Sequence, residues 1–399
     1  MFELVRPASA ASPPAELPPS LQERIAVLSR ARVGVAYFYE IPDNSTFRYR
    51  VANMVSTLNT ATSESGMAAA WFTSGEIDQL ASLAESVDVL VVCRARMSHR
   101  LGRLIAAMRA RRVPVLYDVD DLVFDPDLAP LLMDTLAVDR ESDEVVNYWF
   151  SYCARIGAAM RLCDTALVTS EALGREVARS SRLPYLVLPN FLNREQMDAS
   201  ERIWGQKLQS DFRGDGTWHL GYFSGSPSHT RDFGIAAAAL ARLLREDPRV
   251  ALRLVGFLAP PSELMAFGPR VEQLPLQDTV PLQWLMGEVN LSLAPLQDNA
   301  FTACKSDLKW FEAAAAGTVT VASPAGGVGA RIRDRVNGRL ARSYEWYPVL
   351  RELIDDAPAC RALPERARAE ALAERAPESQ LPRIRDALLS VIAGGGGRG

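Results

Sequence analysis

The sequence predicts an α/β protein of two doubly wound parallel sheets, on three observations. Short apolar runs alternate with amphipathic helical patterns along most of the chain. The run 88–93 (DVLVVC) is apolar at successive positions rather than every second one, as a strand covered on both faces is. The alternation also restarts after a polar stretch at 206–217, in a chain of 399 residues, a length that favours two to three domains.

Taken in order, residues 1–31 open with a Pro-, Ala- and Ser-rich stretch that reads as a disordered lead-in. A first Rossmann-like domain is expected over 32–205. Its strands fall at 32–39, 67–72, 88–93, 113–117, 165–169 and 184–188, with helices at 47–60, 98–111 and 142–162. A second Rossmann-like domain is expected over 206–378, with strands at 218–223, 251–255, 289–294 and 318–322 and the boundary between about 195 and 217. Residues 379–393 read as a last helix, and the tail 394–399 (GGGGRG) as flexible.

Composition narrows the function. A net charge of -4, with 48% apolar and 23% charged residues, gives no global attraction to nucleic acid, so any phosphate site has to be a local arrangement. The five cysteines are scattered without a C-x-x-C pair, which points to reduced thiols rather than disulfides or zinc. The N-terminus lacks a basic and apolar leader pattern and no run reaches membrane-spanning length, so a cytoplasmic protein is expected, with peripheral membrane contact left open.

The densest chemistry lies in 301–323, FTACKSDLKWFEAAAAGTVTVAS. After the strand at 289–295 and a loop at 296–304, a helix is expected from about Ser306 to Ala316, ending at Gly317. The N–H groups at a helix start and its positive dipole end attract anions, and Lys305 and Lys309 add full charges there. Glu312 shares their helical face, opposite Leu308, Phe311 and Ala315.

This segment resembles the donor-site helix of retaining GT-B glycosyltransferases of the large family 4 kind, in particular a subset with a K-S-x-x-K-x-x-E signature, which Lys305, Ser306, Lys309 and Glu312 reproduce. The resemblance implies two Rossmann-like domains facing an interdomain cleft, with the 379–393 helix crossing back to the first. It also implies that Lys305, Ser306 and Lys309 hold the donor diphosphate while Glu312 bonds the nucleotide ribose. The family's usual first glutamate falls on Cys304, so Asp298 or Asn299 is the expected substitute near the transferred sugar.

Other stretches fit the same frame. Residues 221–232 (GYFSGSPSHTRD) form a small-residue turn after a strand, where Ser224, Gly225 and Ser226 leave room for phosphate oxygens, with His229 alongside as a catalytic candidate. In 117–124 (YDVDDLVF), which carries Asp118, Asp120 and Asp121, the carboxylates of the Asp118-Val-Asp120 triplet could hold a divalent metal as in GT-A enzymes. Their position after a first-domain strand instead suggests acceptor contacts, with Asp118 close to the chemistry, or helix-start and turn residues. Ser45, Arg48 and Arg50 open the helix after the first strand, where an arginine could clamp a phosphate or acidic acceptor. Residues 323–329 (SPAGGVG) lack dinucleotide-binding spacing and resemble a post-helix turn.

The resemblance implies sugar transfer from a nucleotide diphosphate sugar to a carbohydrate or other acceptor, with retention, without a cofactor and without a metal, the lysines and helix end replacing the cation. Two alternatives stand beside it: an epimerase or hydrolase on the same fold, and a noncatalytic subunit binding a sugar nucleotide, which the cysteine at position 304 favours.

Overall fold

In the computed structural model, which describes residues 1–6, 19–43, 45–60, 62, 66–225 and 230–395, the apolar runs gather into two six-stranded parallel sheets. The first joins β1 (Val33–Phe38), β2 (Met67–Phe72), β3 (Val89–Cys93), β4 (Val115–Val119), β5 (Thr165–Val168) and β6 (Tyr185–Val187) in the order β2-β1-β3-β4-β5-β6. The second joins β7 (Trp218–Ser224), β8 (Val250–Gly256), β9 (Val271–Leu274), β10 (Leu291–Ala294), β11 (Val319–Ala322) and β12 (Arg339–Leu340) in the order β9-β8-β7-β10-β11-β12. The edge strands β9 and β12 carry no continuous apolar run, which is why the sequence pattern does not reveal them.

Successive side chains explain the double covering. Ala36, Phe38, Leu90 and Val92 enter one apolar cluster of the first sheet, while their neighbours Val35, Tyr37, Val89 and Val91 enter the cluster on its other face. Strand order reverses between β1 and β3 and between β7 and β10. Loops leaving the carboxyl ends of such strand pairs diverge and open a crevice, and the two crevices face each other here.

Two parts of the expected division change. The expected disordered lead-in contains ordered pieces: Phe2 is buried on the second domain, its N–H donating to the Glu288 carbonyl at 3.0 Å, and helix Leu21–Arg30, capped by Ser20, buries Leu28 in the first domain. Apolar side chains hold both pieces down. Helix Arg194–Gln209 straddles the expected boundary but packs Ala199 and Ile203 against Trp284 of the second domain, so the crossing lies just before Arg194. Helix Pro377–Gly395 places Ile384 and Leu388, both fully buried, among Val35, Tyr37 and Leu116 of the first.

Candidate active site

A cavity of about 880 Å³ lies between the domains, walled by the loops after β1, β3, β4 and β6 on one side and after β7 to β11 on the other. Its floor is the segment around Lys305. Helix Ala300–Ala303, capped by Asn299, precedes Lys305, and helix Leu308–Ala315 begins after Asp307, two residues later than the sequence suggests. Asp307, the residue before the helix, makes no side-chain cap and is instead drawn into an ion pair with Arg375 at 2.6 Å. The glycines of 323–329 serve this floor: Gly327 N–H donates to the Lys305 carbonyl at 2.7 Å, and a Cβ on Gly327 would lie 2.7 Å from that oxygen.

Lys305, Ser306, Lys309 and Glu312 all line the cavity. The Lys305 ammonium sits 3.5 Å from Asp121 Oδ1 and 4.7 Å from the centre of the Phe301 ring. Lys309 donates to the Phe223 carbonyl at the end of β7 and lies over the Tyr222 ring, and burial pulls its pKa down to about 8. Glu312 is buried. Its Oε1 accepts a hydrogen bond from the Tyr49 hydroxyl and another from Gln196 Nε2 at 3.2 Å. Burial raises the Glu312 pKa, and these bonds work against the rise.

Tyr49 arrives there through a wide turn, Arg48–Ala52, closed by Asn53 N–H donating to the Arg48 carbonyl five residues back. The same turn sends Arg48 to the cavity wall, 3.8 Å from Asp278 of the second domain, and Arg50 into the core. Arg50 is therefore no cleft clamp. It grips both oxygens of Asp118 at 2.8 Å in a pair with no exposed surface, and its remaining nitrogen reaches the Leu188 carbonyl at 2.7 Å and Asn190 Oδ1 at 3.2 Å. Asn190 in turn donates to Ser306 Oγ at 3.4 Å. Asp118 thus stands outside the cavity lining, and its work is to hold the interdomain crossing through Arg50.

Asp120 and Asp121 do line the cavity. Thr46 donates to Asp120 at 2.7 Å, and Arg94 reaches Asp120 at 3.0 Å and Asp121 at 3.4 Å. Arg94 follows β3 with φ at 45°, a left-handed backbone that non-glycine residues adopt at a cost. Because Asp118 is turned into the core, the aspartates of 118–121 do not converge as one ligand set. Ser45 lines the cavity, tied to Asp43. Ser224, buried, and Gly225 line it at the end of β7; Ser226 and His229 lie outside the described residues.

The two expected sugar-side positions, Asp298 and Asn299, do not reach the cavity lining, and neither does Cys304, where the family's first glutamate falls. Asp298 is exposed, and Asn299 caps its short helix while donating to Thr135 Oγ1 at 3.0 Å across the domains. Cys304 is buried in the first domain's apolar core beside Phe301, so a side chain at this position packs instead of facing a ligand. Tyr49, Arg94, Asn190 and Gln196 are the positions that sequence reasoning missed. Arg94 carried a signal, a polar residue directly after a wholly buried strand; the others depend on interdomain packing.

No protein-family model matches the chain, and no curated protein matches it. Solved structures do. HepE from Anabaena, crystallised with UDP and glucose, superposes with a TM-score of 0.62 at 16% identity over 90% of this chain and 100% of that one. Sucrose-phosphate synthase from Thermosynechococcus elongatus gives 0.61 at 15% identity over 91% and 100%, and WaaG, a glycosyltransferase of lipopolysaccharide biosynthesis, 0.56 at 16% over 89% and 99%. Two facing six-stranded parallel sheets with helices on both faces, and superposition of about nine tenths of the chain on these proteins, give the chain the GT-B glycosyltransferase fold.

Proposed function

We propose that the protein transfers a glycosyl group from a nucleoside diphosphate sugar to an acceptor hydroxyl, with retention and without a metal. The observation that carries this reading is the clustering of Lys305, Ser306, Lys309 and Glu312 at the start of one helix, inside a cavity lined by strand ends of both sheets. Two lysines and a helix start offer charge to a diphosphate, and a buried carboxylate suits a ribose diol. HepE, of the same fold, has been crystallised with UDP-glucose.

In the proposed reaction the bond between the anomeric carbon and the diphosphate oxygen breaks as the acceptor oxygen bonds to that carbon on the same face, and the acceptor proton passes to the departing diphosphate. Such a route asks for stabilisation of the leaving group more than for a strong base. Lys305 and the backbone at Ser224 and Gly225 would supply it. Nucleoside diphosphate release from a panel of nucleotide sugars and hydroxyl acceptors tests the proposal. Cys304, packed in the core, favours a second reading, a noncatalytic sugar-nucleotide-binding subunit; donor binding with no release across a broad panel would select it.

A further inference from the structure

The first-domain end of the cavity is unequally furnished. Beyond Asp120 and Asp121 its wall is made by Val123, Leu132, Leu136, Val138 and Trp149. Val123 and Leu132 belong to the same apolar cluster as Phe301, and Leu136 and Trp149 pack against that cluster, so the surface is continuous. The polar groups beside it are engaged with one another: Arg94 bonds Thr46, Asp120 and the Tyr152 hydroxyl, and Thr46 bonds Asp120. Outward along helix Asp143–Met160 the apolar character goes on, with Tyr148 stacked on Tyr152 and Tyr148 and Phe150 left 52% and 40% exposed.

A polyhydroxylated ring pushed into this recess would leave hydroxyls without partners, each costing about 1–3 kcal/mol. Resting on the glycosyl-transfer reading, we propose that the acceptor is a molecule whose accepting hydroxyl lies near Asp121 and whose adjoining body is apolar, an alkyl, prenyl or aryl group seated between Leu136, Val138 and Trp149. Such a body gains from leaving water and asks nothing of the wall but shape.

Isothermal titration of methyl β-glucoside and octyl β-glucoside, the latter below its micelle concentration, into the UDP-saturated protein tests this. Octyl glucoside should bind at least about tenfold more tightly than methyl glucoside. Leu136→Asp and, independently, Val138→Asp should each remove most of that gain while UDP affinity stays within about twofold, with thermal melts confirming both variants folded. Equal affinity of the two glucosides, or a gain indifferent to both substitutions, overturns the proposal. Failure to bind UDP would instead count against the glycosyl-transfer reading, and the glucoside comparison can still be read without nucleotide. Phosphatidylcholine vesicles carrying hexadecyl β-glucoside separate the sources: recruitment marks a bilayer-held acceptor, and octyl binding without recruitment marks a free one.

Discussion

Asp118 and Glu312 are both buried carboxylates beside the interdomain cavity, yet they are finished differently. Asp118 has each oxygen held by one arginine at 2.8 Å, a closed pair with nothing left to offer a ligand. Glu312 has Oε1 taken by Tyr49 and Gln196, while Oε2 carries no hydrogen bond among the described residues and the side chain lines the cavity. Burial pushes the pKa of both upward, so protonation preference alone does not distinguish the two; what differs is that Glu312 keeps an uncommitted oxygen and Asp118 does not.

The largest effect should come from opening the closed pair. Asp118→Ala leaves Arg50 buried without its partner and should cost about 3–5 kcal/mol in urea denaturation. A cost below about 1 kcal/mol would mean that Arg50 finds water or another partner. On the open side, Lys305→Ala should lower transfer by about 2–4 kcal/mol of barrier, roughly 30- to 1000-fold, with unfolding unchanged. Turnover near the parent's would remove Lys305 from leaving-group stabilisation. Glu312→Gln keeps an oxygen for Tyr49 and should leave the fold alone while weakening donor binding by about 1.5–3 kcal/mol, read by calorimetry.

Lys309 gives a pH signature in which two signs oppose. Its folded pKa of about 8 lies below the ordinary 10.5, so from about 8 upward the native state sheds this proton before the unfolded chain does. The unfolded state then binds more protons, and the residue's contribution to stability rises with pH across that window. If Lys309 holds the diphosphate as proposed, donor affinity should fall through the same window, because that ammonium is lost. Lys309→Met should flatten both trends, and a donor affinity unchanged from pH 7 to 9 in the parent would take Lys309 out of the diphosphate site. The smallest effect expected is that of EDTA: with lysines carrying the neutralisation, transfer should survive the chelator, and rescue of lost activity by Mg²⁺ or Mn²⁺ would reverse that assignment.

The two regions were not equally legible. Strands such as Val89–Cys93 could be placed because burial on both sheet faces leaves an uninterrupted apolar run, and the helix at Leu308–Ala315 because Lys305, Lys309 and Glu312 fall at helical spacing. Asp118 misled for a physical reason: D-V-D in a sequence cannot say which aspartate meets an arginine 68 positions away. Arg50 misled in the same way, since the wide turn at Arg48–Ala52 rotates it away from the cleft side that a regular helix start would suggest. Cys304 was legible only as an absence; its packing beside Phe301 shows what the position does instead.

The routing of the chain has a practical consequence. Residues Phe2 to Arg6 lie on the second domain, helix Leu21–Arg30 on the first, Arg194 returns to the second, and Ile384 and Leu388 close over the first again. Each lobe is therefore completed by a fragment belonging, by position in the chain, to the other. A gene cut at residue 205 would yield one product missing the apolar lid that covers Val35 and Tyr37, and another missing the strap bonded to Glu288. The two halves are better described as interlaced than as modular, and recombination of either lobe with a foreign one would have to carry its distant fragment along.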